Sequence, residues 1–342
     1  MKKPLAIIWN DAHLKTGNEY EILMAFKHML EYAVENGIDK MIFAGDLFDS
    51  RSFQRQEVLK TFDYILTLLH QNDITLYLFP GNHDKTLYTS EYSFLDIYRH
   101  HPCVKFNGRI ERIEIDGVTI DLLPFFDDSL LVPIIEEAEG CDVLISHFEM
   151  AGSTNLGRVS EKKSITRKML KKWKKVYLGH YHNTHEITKD IVHLPSLRQA
   201  DFGEDSNKGF SVLYDDLSYE IIKGRFREFI KVEIDIDKTN SKKLKELIEL
   251  HRDSENSIRF EFTGEDSNLK ALDKALFKGT GIDVKTKFKE RFSKDSPEPV
   301  MIKEFNKETV YSTFEEFCKD KGYDHETGMV YLNEFLKRKE NV

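Results

Sequence analysis

The chain has 342 residues, of which 40% are hydrophobic and 12% aromatic, so it is a globular protein with room for two or three domains. Its net charge of -9 excludes a generally basic surface for nucleic acid, and no stretch approaches the roughly 20 apolar residues of a membrane span. Three cysteines without a CxxC pattern argue against a disulfide framework or a thiolate metal site. We therefore expect a protein of the reducing cytoplasm with no membrane partner.

The first 80 residues alternate short apolar runs with segments of helical period. This pattern is typical of βα units that build a largely parallel sheet. It predicts strands at 5–9, 41–44 and 74–79, with amphipathic helices at 19–36 and 57–71.

The next part of the chain is richer in strands. Residues 109–115 and 118–123 alternate in period two around Asp116-Gly117, which predicts a hairpin with a two-residue turn. Apolar runs predict further strands at 143–146 and 176–178, and a β-rich tail at 192–194 and 209–214 resembles a second sheet. We infer an α/β fold whose core is a two-sheet β-sandwich flanked by helices.

The predicted secondary structure changes after about residue 223. Strands at 229–236, 257–262 and 283–289 alternate with helices at 242–251 and 269–277, which predicts a small α/β domain over 224–292 that follows a first domain over 1–223. A charged, proline-containing linker is expected at 293–304 and a helical hairpin at 305–342. The apolar stripes of this hairpin need a surface, either on the chain's own body or on a partner.

Polar residues that can bind metals follow five of the predicted strands. Because the carboxyl ends of strands in an open α/β sheet share one edge, these residues should converge on one crevice. They are Asp11 and His13, then Asp46 and Asp49, then Asn82, His83 and Asp84, then His147, and last His180 and His182.

Seven of these side chains suit a site for two metal ions. Such a site needs a carboxylate that can bridge, together with oxygen and imidazole ligands for each ion. Asp46 would bridge, Asp11, His13 and His182 would bind one ion, and Asn82, His147 and His180 would bind the other. The donor set suits Mn²⁺, which we expect, with Mg²⁺, Fe or Zn²⁺ as alternatives.

The five motifs, DxH, GDxxD, GNHD, a single His and GHxH, resemble the signature blocks of calcineurin-like metallophosphoesterases. Within that superfamily the chain most resembles the SbcD-type nuclease subunits of double-strand-break repair complexes, the meiotic-recombination-eleven family, and especially their tailed-phage counterparts. Protein phosphatases of the superfamily typically show GDxxDRG and GNHE. Here Ser50-Arg51 follows Asp49, and Asp84 stands in place of that Glu, which favours the nuclease branch.

The resemblance implies a metal-dependent DNA nuclease that cuts double-stranded ends as an exonuclease and single strands or hairpins as an endonuclease. His83 would protonate the leaving 3′-oxygen or bind the phosphate, and Asp49 would orient His83. Residues 224–292 would be a capping domain and a candidate for DNA contact, and the hairpin at 305–342 would bind an ABC-type coiled-coil ATPase subunit. A homodimer is expected, through helix 57–71 and the segment 92–98. If the chain is phage-encoded, the compartment is the cytoplasm of the host bacterium.

A basic run between two of the ligand motifs is the local feature that could hold DNA despite the negative net charge. The alternative for this run is a solvated helix face. Its proposed DNA-binding residues are Arg158, Lys162, Lys163, Arg167, Lys168, Lys171 and Lys172.

Two other functions remain open for the whole chain: a stand-alone phosphodiesterase or protein phosphatase with the same metals, and a non-catalytic scaffold that keeps the fold.

Overall fold

The computed structural model describes residues 2–155, 158–160, 162–288, 311, 314–315, 317–319 and 328–329. The chain divides into two compact units, Met1–Phe288 and Lys289–Val342. No helix among these described residues is long and apolar enough to cross a membrane.

The secondary structure of the first unit follows in chain order. The strands are β1 Pro4–Trp9, β2 Lys40–Ala44, β3 Thr75–Phe79, β4 Val104–Phe106, β5 Glu111–Ile115, β6 Val118–Leu123, β7 Val143–Ser146, β8 Thr154–Asn155, β9 Arg158–Val159, β10 Lys175–Leu178, β11 His185–Thr188, β12 Ile191–His193, β13 Gly209–Tyr214, β14 Tyr219–Lys223, β15 Phe229–Asp235, β16 Ser257–Gly264 and β17 Ile282–Phe288. The α-helices are α1 Glu19–Glu35, α2 Gln56–Gln71, α3 Asp128–Glu137, α4 Arg167–Leu170, α5 Ser241–His251 and α6 Asp266–Lys270.

The first sheet has the order β14-β13-β1-β2-β3-β4. Strands β1 to β4 are parallel, as the βα rhythm predicts, whereas β13 is antiparallel to β1. The expectation that 209–214 lies with 192–194 in the second sheet is therefore wrong. Strand β13 returns to the first sheet, because both of its neighbours, β1 and β14, are there.

The second sheet has the order β11-β12-β10-β7-β6-β5. Strands β6, β7, β10 and β12 are parallel to one another, and β5 pairs with β6 as the predicted antiparallel hairpin. The two turn residues, Asp116 and Gly117, have φ angles of 48° and 82°, the positive values that a type I′ turn requires.

The two sheets pack face to face. Buried side chains of both, such as Ile8 and Ile42 from the first and Ile120 and Ile145 from the second, form one hydrophobic cluster. The outer face of the first sheet is covered by the apolar sides of α1 and α2, and that of the second by α3 and α4. The predicted α/β fold with a two-sheet sandwich flanked by helices is confirmed.

Strands β15, β16 and β17 form a separate parallel sheet with α5 and α6 and a hydrophobic cluster of its own around Phe260. The helix expected over 269–277 is interrupted there. Asp273 accepts a hydrogen bond from the main-chain N–H of Ala275 and starts a new 3₁₀ turn, Lys274–Phe277. An Asp side chain that competes for main-chain N–H groups in this way ends a helix.

The linker predicted at 293–304 lies outside the described residues, and so does most of the hairpin predicted at 305–342. Within the second unit, Phe314 and Cys318 lie beside Gly328, where a β-carbon would be 2.8 Å from the Phe314 ring and 3.7 Å from the Cys318 Sγ. These two stretches of chain are therefore in contact.

Candidate metal centre

All seven proposed metal ligands follow strands at the same end of the sandwich. Asp11, Asp46 and Asn82 come after β1, β2 and β3 of the first sheet, and His147 and His180 come after β7 and β10 of the second. Beyond the last pairs of the first sheet, the loops continue side by side. The N–H of Asp11 donates to the Gly45 carbonyl at 3.0 Å, and the N–H of His13 donates to the Asp46 carbonyl at 3.2 Å.

Four of the seven residues have left-handed backbone: Asp11, His13, Asp46 and His180, with φ angles of 49°, 47°, 59° and 86°. Residues other than glycine rarely adopt this region, and such strain concentrates at functional sites. At each of these residues the chain turns sharply away from the strand direction, and the side chain points into the crevice.

Gly81 allows the loops after β2 and β3 to approach each other closely. A β-carbon at this position would be 2.2 Å from Asp46 Oδ1 and 2.4 Å from the Asp46 nitrogen. Only glycine leaves enough room for Asp46 here.

The first cluster of side chains surrounds Asp11. Its Oδ2 accepts hydrogen bonds from Asn10 Nδ2 at 2.5 Å and from the His180 N–H at 3.0 Å. Its Oδ1 is buried without a hydrogen-bond donor, and the Nε2 atoms of His13 and His182 both lie 3.8 Å from it. One oxygen is anchored and the other faces imidazole nitrogens, the arrangement expected of a carboxylate that ligates a cation.

The second cluster surrounds the side-chain oxygen of Asn82. This oxygen lies 3.2 Å from His147 Nε2 and 2.9 Å from His180 Nδ1. His147 Nδ1 is 2.8 Å from the Ala44 carbonyl, which can only accept, so Nδ1 carries a proton and Nε2 is the atom that a bound cation would meet.

Asp46 belongs to both clusters. Its Oδ1 accepts the N–H of His83 at 2.7 Å, whereas its Oδ2 lies 3.3 Å from His147 Nε2 and 3.8 Å from His13 Nε2. Its position is that of a carboxylate shared by two neighbouring ion sites.

The electrostatics of the crevice suit cations. Burial would lower the pKa of His147, but Asp46 and Asp11 raise it to about 9, so the carboxylates stabilise positive charge here and a cation at Nε2 would replace a proton. Burial and the nearby His147 lower the pKa of His180 to about 3, so its ring is neutral at pH 7, the form that binds metals. The donor set of carboxylate, amide and imidazole fits two divalent ions such as Mn²⁺.

His83 lies at the edge of the crevice, with its ring 4.7 Å from that of His13. Its Nδ1 donates to the Asp49 carbonyl oxygen at 2.7 Å, and its Nε2 is 2.9 Å from an Arg51 nitrogen that can only donate. Asp49 thus meets His83 through its main chain. The Asp49 carboxylate instead lies 3.1 Å from Lys15 Nζ and 3.8 Å from His13 Nδ1.

Asp84, the last residue of the GNHD motif, holds the loops beneath the site together. Its two buried carboxylate oxygens accept the N–H groups of Asp46, Phe48 and Gly81 at 2.9 to 3.0 Å, and that of Leu47 at 3.3 Å. In the sequence Asp84 is visible only as the last residue of a strand-end motif, because the N–H groups that it binds belong to a loop almost 40 residues earlier as well as to its own.

The site opens into a cleft of about 280 Å³. Of the described residues, its cationic lining residues are Lys15, Arg51 and Arg198, none of which the sequence predicted to bind a substrate. The side chains of the predicted basic run that the structure describes do not line this cleft.

The members of the basic run differ in their contacts. Lys162 pairs with Asp128 at 3.2 Å, and Lys172 donates to three main-chain carbonyls at the end of α3. The side chain of Arg158 lies outside the described residues. The other members, Lys163, Arg167, Lys168 and Lys171, are exposed.

A site of paired carboxylates, amide and imidazoles at the strand ends of a two-sheet sandwich defines a metal-dependent hydrolase. The model of the family described as calcineurin-like phosphoesterase matches residues 6–222. The chain belongs to the calcineurin-like phosphoesterase family, as its five motifs predict.

Two curated relatives come from species of Methanosarcina. The chain is 28% identical over 116 residues to "DNA double-strand break repair protein Mre11" of Methanosarcina acetivorans. It is 29% identical over 116 residues to the protein of the same name from Methanosarcina mazei. Each match covers 32% of this chain and 18% of the relative's length.

Proposed function

We propose that the chain is a two-metal DNA nuclease, with Mn²⁺ as its ion, that acts with an ABC-type ATPase subunit in break repair, recombination or phage DNA metabolism. The observation that supports this most directly is Asp46, whose Oδ2 lies within 3.3 and 3.8 Å of imidazole nitrogens from two separate ligand clusters. The names of the two relatives support DNA as the substrate.

In this proposal Asp11, His13, His182 and Asp46 would hold one ion, and Asp46, Asn82, His147 and His180 would hold the other. Such ions would supply Lewis-acid chemistry that activates water at neutral pH and offsets charge on the phosphate. The strand-end loops hold these ligands in place, and the cleft would hold the phosphodiester beside them.

We assign His83 and Arg51 to contact the phosphodiester. Because His83 Nδ1 donates to the Asp49 carbonyl, its Nε2 is the atom that faces a substrate. Arg51 now occupies that nitrogen and also donates to Tyr88 Oη. When a phosphate draws the Arg51 guanidinium away, His83 Nε2 is free to take up a proton from solvent. The imidazolium would then donate to the phosphate or protonate the leaving 3′-oxygen.

The first test separates DNA cleavage from general phosphoesterase activity. The purified chain is incubated with labelled linear and hairpin DNA, and separately with p-nitrophenyl phosphoesters, in Mn²⁺ or Mg²⁺. We expect Mn²⁺-dependent DNA cleavage that falls at least about 100-fold in Asp11→Ala and His83→Ala. His100→Ala, which changes an exposed histidine, serves as the matched control.

Hydrolysis of p-nitrophenyl esters with intact DNA would favour a stand-alone phosphodiesterase instead. No hydrolysis of either substrate in any of these metals would favour a scaffold.

The ATPase partner is proposed to bind the C-terminal hairpin, where Phe317 is 48% exposed. An aromatic side chain that becomes buried when the partner binds is the usual centre of such an interface. Phe317→Asp in the full chain should weaken binding of the cognate ATPase at least about tenfold, whereas Leu250→Asp, at a residue that is 74% exposed on α5, should not. Equal binding by both variants would contradict the assignment.

A homodimer is proposed through α2 and the segment 92–98. Large apolar side chains are exposed there: Tyr64 by 45%, Tyr92 by 76% and Ile97 by 64%. Such exposed patches mark protein interfaces. In sedimentation experiments Ile97→Asp should shift a dimer to monomer, and a wild-type chain that is monomeric at high concentration would exclude the dimer.

A further inference from the structure

The loop that follows β12 brings a carboxylate behind one of the proposed metal ligands. Glu204 Oε1 lies 2.5 Å from Nδ1 of His182, on the opposite side of the ring from the Nε2 that faces Asp11. The Glu204 side chain is only 7% exposed, and its Oε2 accepts the N–H of Ala200 at 3.0 Å. Both carboxylate oxygens are therefore engaged.

This contact determines the tautomer of His182. An ionised carboxylate can only accept, so the His182 Nδ1 carries the proton and its Nε2 presents a lone pair to the first cluster. Among the proposed imidazole ligands in the described chain, His182 is the one with a carboxylate at hydrogen-bond distance from its outer nitrogen. His147 donates to a main-chain carbonyl instead, and His13 Nδ1 is 3.8 Å from Asp49.

Glu204 is itself held from two sides. Lys208 is fully buried, lies 3.6 Å from Glu204 Oε2, and donates at 2.5 Å to the His182 carbonyl. Gln199 Nε2 donates to the Glu204 carbonyl at 2.8 Å, and Gln199 Oε1 accepts the N–H of Phe229 at 2.8 Å. The Glu204 carboxylate is thus linked through Lys208 to the His182 main chain, and the Glu204 main chain is linked through Gln199 to the first residue of β15.

We propose that Glu204 is a positioning residue that fixes the tautomer and ring orientation of His182 and so sets the affinity of the first metal site, the one built around Asp11. This inference rests on the proposed function, in that the crevice binds two divalent ions. Carboxylates behind a ligating histidine raise its basicity, and their loss typically lowers metal affinity by about 10- to 100-fold.

The test measures metal binding directly on the full chain, without DNA. Mn²⁺ is titrated by calorimetry into wild type, Glu204→Ala and Glu204→Gln. We expect Glu204→Ala to weaken one of the two Mn²⁺ sites by about 10- to 100-fold and to leave the other within about twofold. Glu204→Gln, which keeps a neutral acceptor, should fall between Glu204→Ala and wild type.

The control is Glu220→Gln. Glu220 accepts a hydrogen bond from Tyr214 Oη at 2.8 Å, so this variant also neutralises a carboxylate bound to a ring group, but outside the crevice. Its Mn²⁺ affinities should match wild type.

The dependence of activity on Mn²⁺ separates positioning from structural damage. Hydrolysis by Glu204→Gln should need a higher Mn²⁺ concentration for half-maximal rate and should return close to the wild-type rate at saturation. A rate that stays low at saturating Mn²⁺, with unchanged affinity, would overturn the proposal.

If Glu204→Ala does not fold, a second measurement still tests the proposal. Nitrogen-15 spectra of wild type and Glu204→Gln report which His182 nitrogen carries the proton. We expect the Nδ1–H form in wild type and a mixture of tautomers in Glu204→Gln. A wild type with the Nε2–H form would overturn the proposal, and a wild type that binds no Mn²⁺ would overturn the proposed function itself.

Discussion

In the crevice, Asp11, His13 and Asp46 hold positive φ angles, and buried carboxylates turn an oxygen toward imidazoles rather than toward N–H donors. The three-stranded sheet of β15 to β17 is different. Among the described non-glycine residues of this region, only Asp253 has a positive φ, of 56°, and it lies in an exposed turn. Its helix α5 begins with a regular cap, in which Asn240 accepts the N–H of Lys243.

The difference shows where the chain tolerates strain. The crevice lies on strands whose buried side chains belong to the large clusters on both faces of the first sheet, so the surrounding core can hold unfavourable turns in place. The three-stranded sheet has a single small cluster and, among its described non-glycine residues, a positive φ only in the exposed turn at Asp253. Substitutions should therefore affect activity in the crevice and stability in the three-stranded sheet.

The largest expected effect is on stability, from Phe260→Ala in β16. Phe260 is fully buried among Phe262, Phe277 and His251. Its removal should lower the free energy of unfolding by about 3–5 kcal/mol in denaturant titrations and leave Mn²⁺ affinity unchanged. Leu250→Ala, at an exposed residue, should change it by less than about 0.5 kcal/mol. A Phe260→Ala variant with normal stability and impaired metal binding would reverse the comparison.

Alanine substitutions at two glycines sharpen the comparison between the crevice and the three-stranded sheet. Gly81→Ala places a β-carbon 2.2 Å from Asp46 Oδ1 and should reduce hydrolysis at least about 100-fold. Gly279→Ala has φ of 74° but no atom within 4 Å, so it should cost about 1 kcal/mol of stability and no activity. Steady-state rates and melting curves of the two variants check this, and similar activity losses in both would contradict it.

A smaller effect is expected at Asp121, in β6 of the sandwich. Burial opposes its ionisation, but hydrogen bonds from Arg112 and Trp173 lower its pKa in the folded chain. Protonation then favours the unfolded chain, so this stabilisation is complete above the ordinary pKa of about 3.9 and is lost as the pH falls below it.

Asp121→Asn should therefore lose about 2 kcal/mol at pH 7 and show a flatter loss of stability between pH 4 and 2 than wild type does, by urea unfolding. Asp253→Asn, at an exposed aspartate, is the control. An Asp121→Asn variant as acid-sensitive as wild type would exclude this role.

The smallest effect concerns the basic run. Changing exposed Lys168 and Lys171 together to Gln should lower the slope of log affinity against log salt by up to about 1.8 if both contact phosphates of double-stranded DNA. Lys162→Gln should leave the slope unchanged, because Lys162 pairs with Asp128. Unchanged slopes in both variants would favour the solvated helix face.

The convergence of Asp11, Asp46, Asn82, His147 and His180 was predictable because it needs only local strands and the rule that parallel strands end at one edge. Gly81 could be expected for the same reason, since it stands within a strand-end motif.

Other features depend on contacts that no local pattern encodes. Strand β13 joins β1 across some 200 residues of sequence, and Glu204 reaches His182 only through the course of an irregular loop. Helix α3 was missed because Pro133 lies inside it and interrupts the usual helical signals. The metal role of the seven ligands remains a prediction.

That role can be tested most directly by anomalous diffraction from crystals of the full chain grown with Mn²⁺. We predict two manganese peaks in the crevice, one beside Asp11 and His182 and the other beside Asn82 and His180, with Asp46 Oδ2 contacting both. A single peak, or none in this crevice at saturating Mn²⁺, would contradict the two-ion site.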